Sequence, residues 1–265
     1  MILLTNGDSW TQGDSPSQTL NWKASKTEDW YDVVPMFGDP NSGNSNERNN
    51  LDRESTRIDY KFYESDIWPK VLGRNLGVET WNAGKSGSSN TSIVVRTIYA
   101  TNWLRAQGKS EIFAIIGWTS MFRQLVIKES SKKDKLGNYI VQRDGVRPHQ
   151  LCTIPKNDRV FVETFVMDIL ALQNHFEVNN IKYLMFNAFD YADVEDNLVH
   201  KSINLDRWYN NSLNEGHMKE YILSKNNLKQ WNDKTYFTGS HPNDVAHIQW
   251  ADHLTEYIKE NKLLT

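Results

Sequence analysis

The sequence predicts an α/β protein with a parallel central sheet, on three observations. Four short apolar runs have the length and composition of buried parallel strands, at residues 2–5, 78–81, 112–116 and 181–186. Segments with helical periodicity lie between and after these runs, at about 65–76, 91–105, 158–176 and 244–260. Ser9, the Asn82-Ala83-Gly84 turn and Gly117-Trp118 follow the first three strands, so they should converge on one edge of the sheet. Because strands that alternate with helices form βαβ units, we expect a three-layer α/β/α sandwich.

The composition is that of one globular domain, which we place at residues 1–265. A net charge of -3 gives no reason to expect nucleic acid or an anionic membrane as a partner. The single cysteine, Cys152, excludes an intramolecular disulfide framework. No apolar run approaches the ~20 residues that span a bilayer, and no signal peptide is visible, so we expect a cytoplasmic protein.

Two stretches depart from the alternation of strands and helices. Residues 12–64 are polar but contain aromatic side chains such as Trp22, Trp30 and Tyr31, which supply the burial that disordered tracts lack. We predict an ordered insertion that lies over the edge of the sheet where the carboxyl ends of the strands meet. Its aromatic side chains would either contact a substrate or form a small core of their own. We interpret residues 124–156 as an irregular, basic-leaning loop, with a solvated segment at Lys128 to Lys135.

The tripeptide Gly-Asp-Ser occurs twice near the start of the chain. Its first copy follows the first predicted strand, whereas its second copy lies among Gly, Pro and Ser residues typical of a loop. A serine at the end of a buried strand is fixed in space, so Ser9 is the candidate nucleophile and Ser15 a bystander. The alternative is that the first tripeptide is only a turn. In parallel sheets, ligands bind at the carboxyl ends of the strands, where Ser9 should lie.

Four segments together resemble the SGNH (GDSL) hydrolase superfamily over nearly the whole chain: NGDSW at 6–10, NAGKSGSSN at 82–90, GWTSMFR at 117–123 and HPNDVAHIQWADHL at 241–254. The resemblance implies an SGNH, flavodoxin-like sheet and a serine ester hydrolase that needs no cofactor and no metal. Its nucleophile would be Ser9, its oxyanion-hole glycine Gly87 and its histidine His241. The variant IIGWTS..R at 115–123 is also similar to GDSL-type proteins encoded by tailed phages, which adds a virion-associated location to the expectations.

These residue types suit the chemistry of acyl transfer. A serine hydroxyl is a weak nucleophile until a histidine takes its proton. The tetrahedral oxyanion then needs donors, which the N–H groups of Ser9 and Gly87 can supply. Two alternatives stay open: His241 as a surface or capping histidine, and the segment at 82–90 as a turn in which Asn90 caps the next helix.

Two positions differ from the family pattern. Thr119 stands where the family has an asparagine that donates to the oxyanion, and a threonine hydroxyl can donate one hydrogen bond. Thr238 stands where the family has the aspartate that orients the histidine. A backbone carbonyl, Asp233 or Asp244 could take over that task.

We also predict that Asp8, Asn90, Trp118 and Arg123 bind substrate. Arg123 could hold an anionic group in a bidentate manner, or form an ion pair with Glu64 or Asp66 instead. Two further histidines, His247 and His253, are expected on the faces of the last helix, since their spacing from His241 does not suggest a metal site.

Three functions follow from this reading. The first is an esterase that hydrolyses O-esters, such as acetyl esters of carbohydrates or other small molecules, through an acyl-enzyme on Ser9. The second is an acyltransferase on the same scaffold, in which a sugar hydroxyl replaces water. The third is a carbohydrate- or partner-binding module with weakened catalysis, which the absent aspartate favours.

Overall fold

The computed structural model describes residues 1–13, 66–85, 88–133, 139–146, 158–188, 200–213, 215–231, 233–238 and 241–264. Within these ranges a parallel sheet of four strands has the order β2-β1-β3-β6. Its strands are β1 (Ile2–Asn6), β2 (Glu79–Asn82), β3 (Ile112–Trp118) and β6 (Lys182–Asn187). The four strands predicted from apolar runs are therefore confirmed, and β1 lies inside the sheet between β2 and β3.

The described helices are α1 (Ser9–Gln12), α2 (Trp68–Leu76), α3 (Asn90–Ala106), α4 (Asp158–Val178), α5 (Met218–Lys225) and α6 (Asp244–Glu260). Short 3₁₀ turns occupy His200–Ser202, Leu205–Arg207 and Tyr209–Asn211. The helices predicted at 91–105, 158–176 and 244–260 are confirmed. Helix α2 begins later than predicted and has a proline in its first turn. Proline lacks an N–H group, but this costs no hydrogen bond in the first turn, because N–H groups there have no acceptor within the helix.

Helices cover both faces of the sheet, because successive side chains of a buried strand point to opposite sides. On one face, Leu4 and Ile116 belong to an apolar cluster with residues of α3 and α4. On the other face, Leu3 and Ile115 belong to a second cluster with residues of α2 and α6. The predicted three-layer α/β/α sandwich is confirmed.

The segment after β3 corrects the prediction of an irregular loop at residues 124–156. It contains the strands β4 (Gln124–Lys133) and β5 (Tyr139–Val146), which pair antiparallel. The sequence carries a reason: Leu125, Val126 and Ile127 in one run and Ile140 and Val141 in the other are residues that favour strands. Charged residues interrupt both runs and obscured this pattern, the lysines at 128–135 in the first and Arg143 and Asp144 in the second.

Residues 14–65 lie outside the described ranges, so the predicted insertion at 12–64 stays a prediction, as does the single domain at 1–265. Helix α1 ends at Gln12 and is capped by Gly13, whose φ of 89° is in the left-handed region that favours glycine. Of the helices in the described part of the chain, none has the length and hydrophobicity needed to cross a membrane.

Candidate active site

Ser9 and His241 are in contact at the carboxyl end of the sheet. The Nε2 atom of His241 lies 2.9 Å from the Ser9 Oγ atom, a hydrogen-bond distance. Ser9 is buried and His241 is partly buried. The two residues are 232 positions apart in the chain, so the fold alone brings them together. A nucleophile within hydrogen-bond reach of a base is the arrangement that serine catalysis requires.

The turn after β1 holds Ser9 rigidly. Asp8 caps α1, because its Oδ1 atom accepts a hydrogen bond from the Trp10 N–H at 3.0 Å. Ser9 is the first residue of the helix, where backbone N–H groups have no acceptor within the helix itself. Gly7 allows the turn to pack closely: a Cβ atom there would lie 2.1 Å from the Thr11 Oγ1 atom and 2.7 Å from the Gly117 carbonyl.

His241 belongs to a short antiparallel pair of strands, β7 (Phe237–Thr238) and β8 (His241–Pro242). Asn243 fixes the chain that follows, since its side chain caps α6 at the Ala246 N–H and donates to the Thr235 carbonyl. The rings of Trp10 and Phe237 lie 6.3 Å apart and join α1 to β7. The His-Pro-Asn motif therefore combines the contact residue with the cap of the next helix.

Asp8 is the centre of a buried polar cluster directly beside Ser9. Its Oδ2 atom accepts a hydrogen bond from the Thr119 hydroxyl at 2.9 Å and an ion-paired hydrogen bond from Arg123 at 2.9 Å. The Asp8 side chain is fully buried and that of Arg123 is 13% exposed. In this structure Thr119 thus donates its hydroxyl hydrogen to Asp8, and Arg123 forms an ion pair with Asp8. The alternative partner Asp66 pairs with Arg74, and Glu64 lies outside the described residues.

Asn90 connects α3 to the end of β3. Its amide side chain accepts from the Thr119 N–H at 3.0 Å and donates to the Thr119 carbonyl at 3.2 Å, which fixes the backbone of that residue. The suggestion that Asn90 caps α3 is corrected: the N-cap is Ser89, whose hydroxyl accepts from the Ser92 N–H, and Asn90 is the first helical residue. The side chain of Asn90 is therefore available for the contact with Thr119.

The turn after β2 is tied to the nucleophile turn. Asn82 donates from its side chain to the Thr11 carbonyl and accepts from the Gly84 N–H. The backbone N–H of Lys85 donates to the Gly7 carbonyl at 3.1 Å. Gly87, the predicted oxyanion donor, lies outside the described residues, and its role stays a prediction.

Trp118 is a core residue in this structure. It is fully buried, and its ring packs edge-on against Phe165 at 5.6 Å. This position corrects the expectation that Trp118 contacts substrate. The reason is that Trp118 still belongs to β3, whose last residues alternate into the apolar cluster beneath α3 and α4.

Thr238, at the position of the absent aspartate, lies opposite His241 in the pairing of β7 with β8. The two carboxylates considered as replacements have local partners. Asp233 accepts from the Thr235 N–H, and Asp244 accepts from the Val245 N–H. The group that orients His241 stays open among the alternatives named above.

Three further titratable groups, His247, His253 and Asp168, have environments that the structure describes. Burial, with a smaller effect of the nearby His241, lowers the pKa of His247 to about 3, so its imidazole is neutral at neutral pH. His253 is a helix-face residue stacked on Tyr221, as predicted. Burial raises the pKa of Asp168 to about 7, although a hydrogen bond from Thr91 favours the ionised form.

Within the described ranges, no group of three or more His, Cys, Asp or Glu side chains is placed to hold a metal.

Sequence reasoning missed Arg96. This partly buried residue of α3 donates hydrogen bonds to the Ala83 and Gly7 carbonyls and to the side chains of Asn6 and Ser88. The only hint in the sequence is an arginine in the second turn of a helix that follows the segment at 82–90. Contacts to four residues cannot be read from that position.

The chain is similar to several solved structures at low identity. They include a member of the lipolytic protein G-D-S-L family from Veillonella parvula (12% identity, 98% of each chain covered, TM-score 0.39). A second is the psychrotrophic esterase EstA from Pseudoalteromonas sp., with 14% identity, coverage of 98% of this chain and 97% of that chain, and a TM-score of 0.39. A third is an acetyl xylan esterase, AlAXEase, with 12% identity, coverage of 97% of this chain and 100% of that chain, and a TM-score of 0.44. No protein-family model and no curated protein sequence matches the chain.

Proposed function

We propose that this protein is a serine esterase of the SGNH type that forms an acyl-enzyme on Ser9, with His241 as the general base. The observation that carries the proposal is the 2.9 Å contact between the Ser9 Oγ and His241 Nε2 atoms. It joins the first and last of the four segments that resemble the SGNH superfamily, at the sheet edge where ligands of parallel α/β folds bind.

The chemistry begins with transfer of the Ser9 hydroxyl proton to His241 Nε2, which acts as acceptor when the ring proton is on Nδ1. The Ser9 Oγ atom then attacks the ester carbonyl carbon and forms a tetrahedral oxyanion. His241 returns the proton to the alcohol oxygen as the C–O bond breaks, leaving an acylated Ser9. A water molecule reverses these steps: His241 takes its proton, the oxygen attacks the acyl carbon, and Ser9 is released with its proton.

The oxyanion needs donors that are already in place. The N–H of Ser9 opens α1 and has no acceptor within that helix, and we assign the N–H of Gly87 as the second donor. Thr119 would serve as a third donor only by turning its hydroxyl away from Asp8. Asp8 and Asn90 act by holding Thr119 and the Ser9 turn, and a contact of either with substrate stays part of the proposal.

For the substrate we propose an O-ester of a small molecule or carbohydrate, with acetylated sugars as the first class to examine. The aromatic residues predicted in the insertion at 12–64 would suit the faces of sugar rings. The similar structures include an acetyl xylan esterase, which makes acetylated xylan a natural first substrate for assay.

Reaction with a fluorophosphonate probe tests the nucleophile. We expect mass spectrometry to find the probe on Ser9, because the Ser9 Oγ atom lies 2.9 Å from the His241 Nε2 atom. Ser9→Ala should abolish labelling, and the matched variant Ser15→Ala should leave it unchanged. A label on Ser15, or equal labelling of both serines, would contradict the assignment.

An acyltransferase is the second candidate, since the acyl-enzyme is the same and only the acceptor differs. Acceptor sugars added during turnover separate the two: acylated sugar indicates transfer, and free acid alone indicates hydrolysis.

A binding module is the third candidate. Absence of both labelling and turnover on a panel of esters, together with retained binding of an oligosaccharide, would favour it.

Thr238→Asp tests whether an orienting carboxylate is missing. Thr238 is opposite His241, so an aspartate there is near enough to act on the imidazole if the loop keeps its shape. We expect kcat on a simple ester to rise, by less than the ~10⁴-fold that a serine protease loses when its aspartate is replaced by asparagine. Thr238→Asn is the matched control, since it adds a similar side chain without charge. Equal rates in the two variants would contradict a role for the charge.

A further inference from the structure

We infer that Arg96 is a positioning residue that holds the nucleophile turn against the described residues on either side of 86–87, Ala83 and Ser88. The inference rests on the proposed function and adds a residue to it. Arg96 lies on α3, and its guanidinium reaches three separate segments that all border the site.

The first of these segments is the nucleophile turn. Arg96 Nη2 lies 3.2 Å from the Gly7 carbonyl and 3.4 Å from the Asn6 Oδ1 atom. Asn6 strengthens this link, because its Nδ2 atom donates to the Ile93 carbonyl and to the Thr97 hydroxyl one turn away on the same helix. The end of β1, two residues before Asp8, is therefore bonded to α3 through buried polar contacts.

The other two segments flank the predicted oxyanion loop. Arg96 Nε donates to the Ala83 carbonyl at 3.2 Å, on the side of β2. Nη2 donates to the Ser88 hydroxyl at 2.7 Å, the shortest of the four contacts, and Ser88 directly follows Gly87. The Ser88 hydroxyl in turn donates to the Lys85 carbonyl at 2.6 Å. Ala83 and Ser88, on the two sides of residues 86–87, thus both accept hydrogen bonds from the Arg96 guanidinium.

A planar guanidinium fixes directions as well as distances, because its N–H groups form a rigid fork. The Gly7 carbonyl accepts from both Lys85 N–H and Arg96, so the two loops share an acceptor. Oxyanion stabilisation depends on donors placed before the charge develops, and a displacement of ~1 Å can lower the rate about 10²-fold. Loss of Arg96 should therefore lower kcat. KM should stay unchanged, because the contacts that bind the substrate are made elsewhere.

The test uses the full-length protein with Arg96→Met, Arg96→Lys and Ser88→Ala. Arg105→Met is the matched control, since Arg105 is an exposed arginine near the end of the same helix. For Arg96→Met we expect kcat on a simple ester to fall about 10²-fold with KM nearly unchanged, and fluorophosphonate labelling of Ser9 to slow in parallel. Ser88→Ala, which removes the shortest Arg96 contact together with the hydrogen bond from Ser88 to the Lys85 carbonyl, should show a smaller fall of the same kind, and Arg105→Met none.

Three outcomes separate the possibilities. Unchanged kcat in folded Arg96→Met, with an active wild type, overturns the inference and leaves the esterase proposal standing. A wild type that neither reacts with the probe nor turns over esters overturns the esterase proposal itself. If Arg96→Met fails to fold, Ser88→Ala and Arg96→Lys decide: kcat at wild-type level in both overturns the inference, whereas a fall in kcat at constant KM and constant Tm supports it.

Discussion

Replacing His241 by alanine should lower kcat on a simple ester about 10²–10⁴-fold, the range that a positioned general base contributes. The reason is the contact between the His241 Nε2 and Ser9 Oγ atoms, which gives the hydroxyl its proton acceptor. KM should change little, because the imidazole acts on the serine and on the departing alcohol. Steady-state kinetics on a chromogenic ester gives both constants.

The control for this variant is His200→Ala, which removes a partly exposed histidine from a 3₁₀ turn in another part of the chain. It should leave kcat unchanged. His241→Ala should keep the circular dichroism spectrum of the wild type, since the helix that follows is capped by Asn243 and not by His241. A loss of kcat of less than tenfold would remove His241 from the catalytic role.

Replacing Arg123 by methionine should lower the free energy of unfolding by about 3–5 kcal/mol, because it leaves the Asp8 carboxylate buried without its cation. Asp8 is fully buried and the paired atoms lie 2.9 Å apart. Asp8→Asn alone keeps an oxygen to cap α1, so it should be less harmful. The double variant Asp8→Asn/Arg123→Met should recover part of the loss, since neither charge remains. Urea denaturation of the four proteins measures the coupling.

The matched control is Arg74→Met, which breaks the pair with Asp66 at 3.1 Å on the surface. Exposed pairs contribute only about 0.2–1 kcal/mol, so this variant should be nearly neutral. If Arg123→Met is no more destabilising than Arg74→Met, the Asp8 pair is not a structural element. A separate substrate role of Arg123 would appear in Arg123→Lys as a larger loss of kcat/KM on anionic than on neutral esters.

The parts of this protein that sequence could predict are those with local causes. An apolar run bounded by polar residues identified β1, and a periodic segment after His-Pro-Asn identified the start of α6. The resemblance to the SGNH superfamily pointed to His241 as the candidate base. Neighbouring strands then placed Ser9 and the Thr119 segment at one edge. The strand and helix assignments need only the residues of one element, and the common edge needs only the general geometry of parallel sheets.

What could not be predicted depends on side chains that meet across elements. The pairing of Arg123 with Asp8 follows from the register of β1 against β3, which sets how far each strand extends at the site edge. The same register brings the Thr119 hydroxyl to Asp8 and thereby occupies its one hydrogen. Strands β4 and β5 were missed for a local reason, because charged residues interrupt their apolar runs, the lysines in β4 and Arg143 and Asp144 in β5.

The separation of 232 positions between Ser9 and His241 has a consequence for folding. A contact this distant in sequence is formed only after the intervening loops have closed, and such contacts slow folding. The pair also depends on β8, a two-residue strand held by β7 and by the cap of α6. Local opening of these C-terminal segments would separate His241 from Ser9 while the sheet stays intact. On the proposed mechanism, we therefore expect activity to be acquired late in folding and lost early in unfolding.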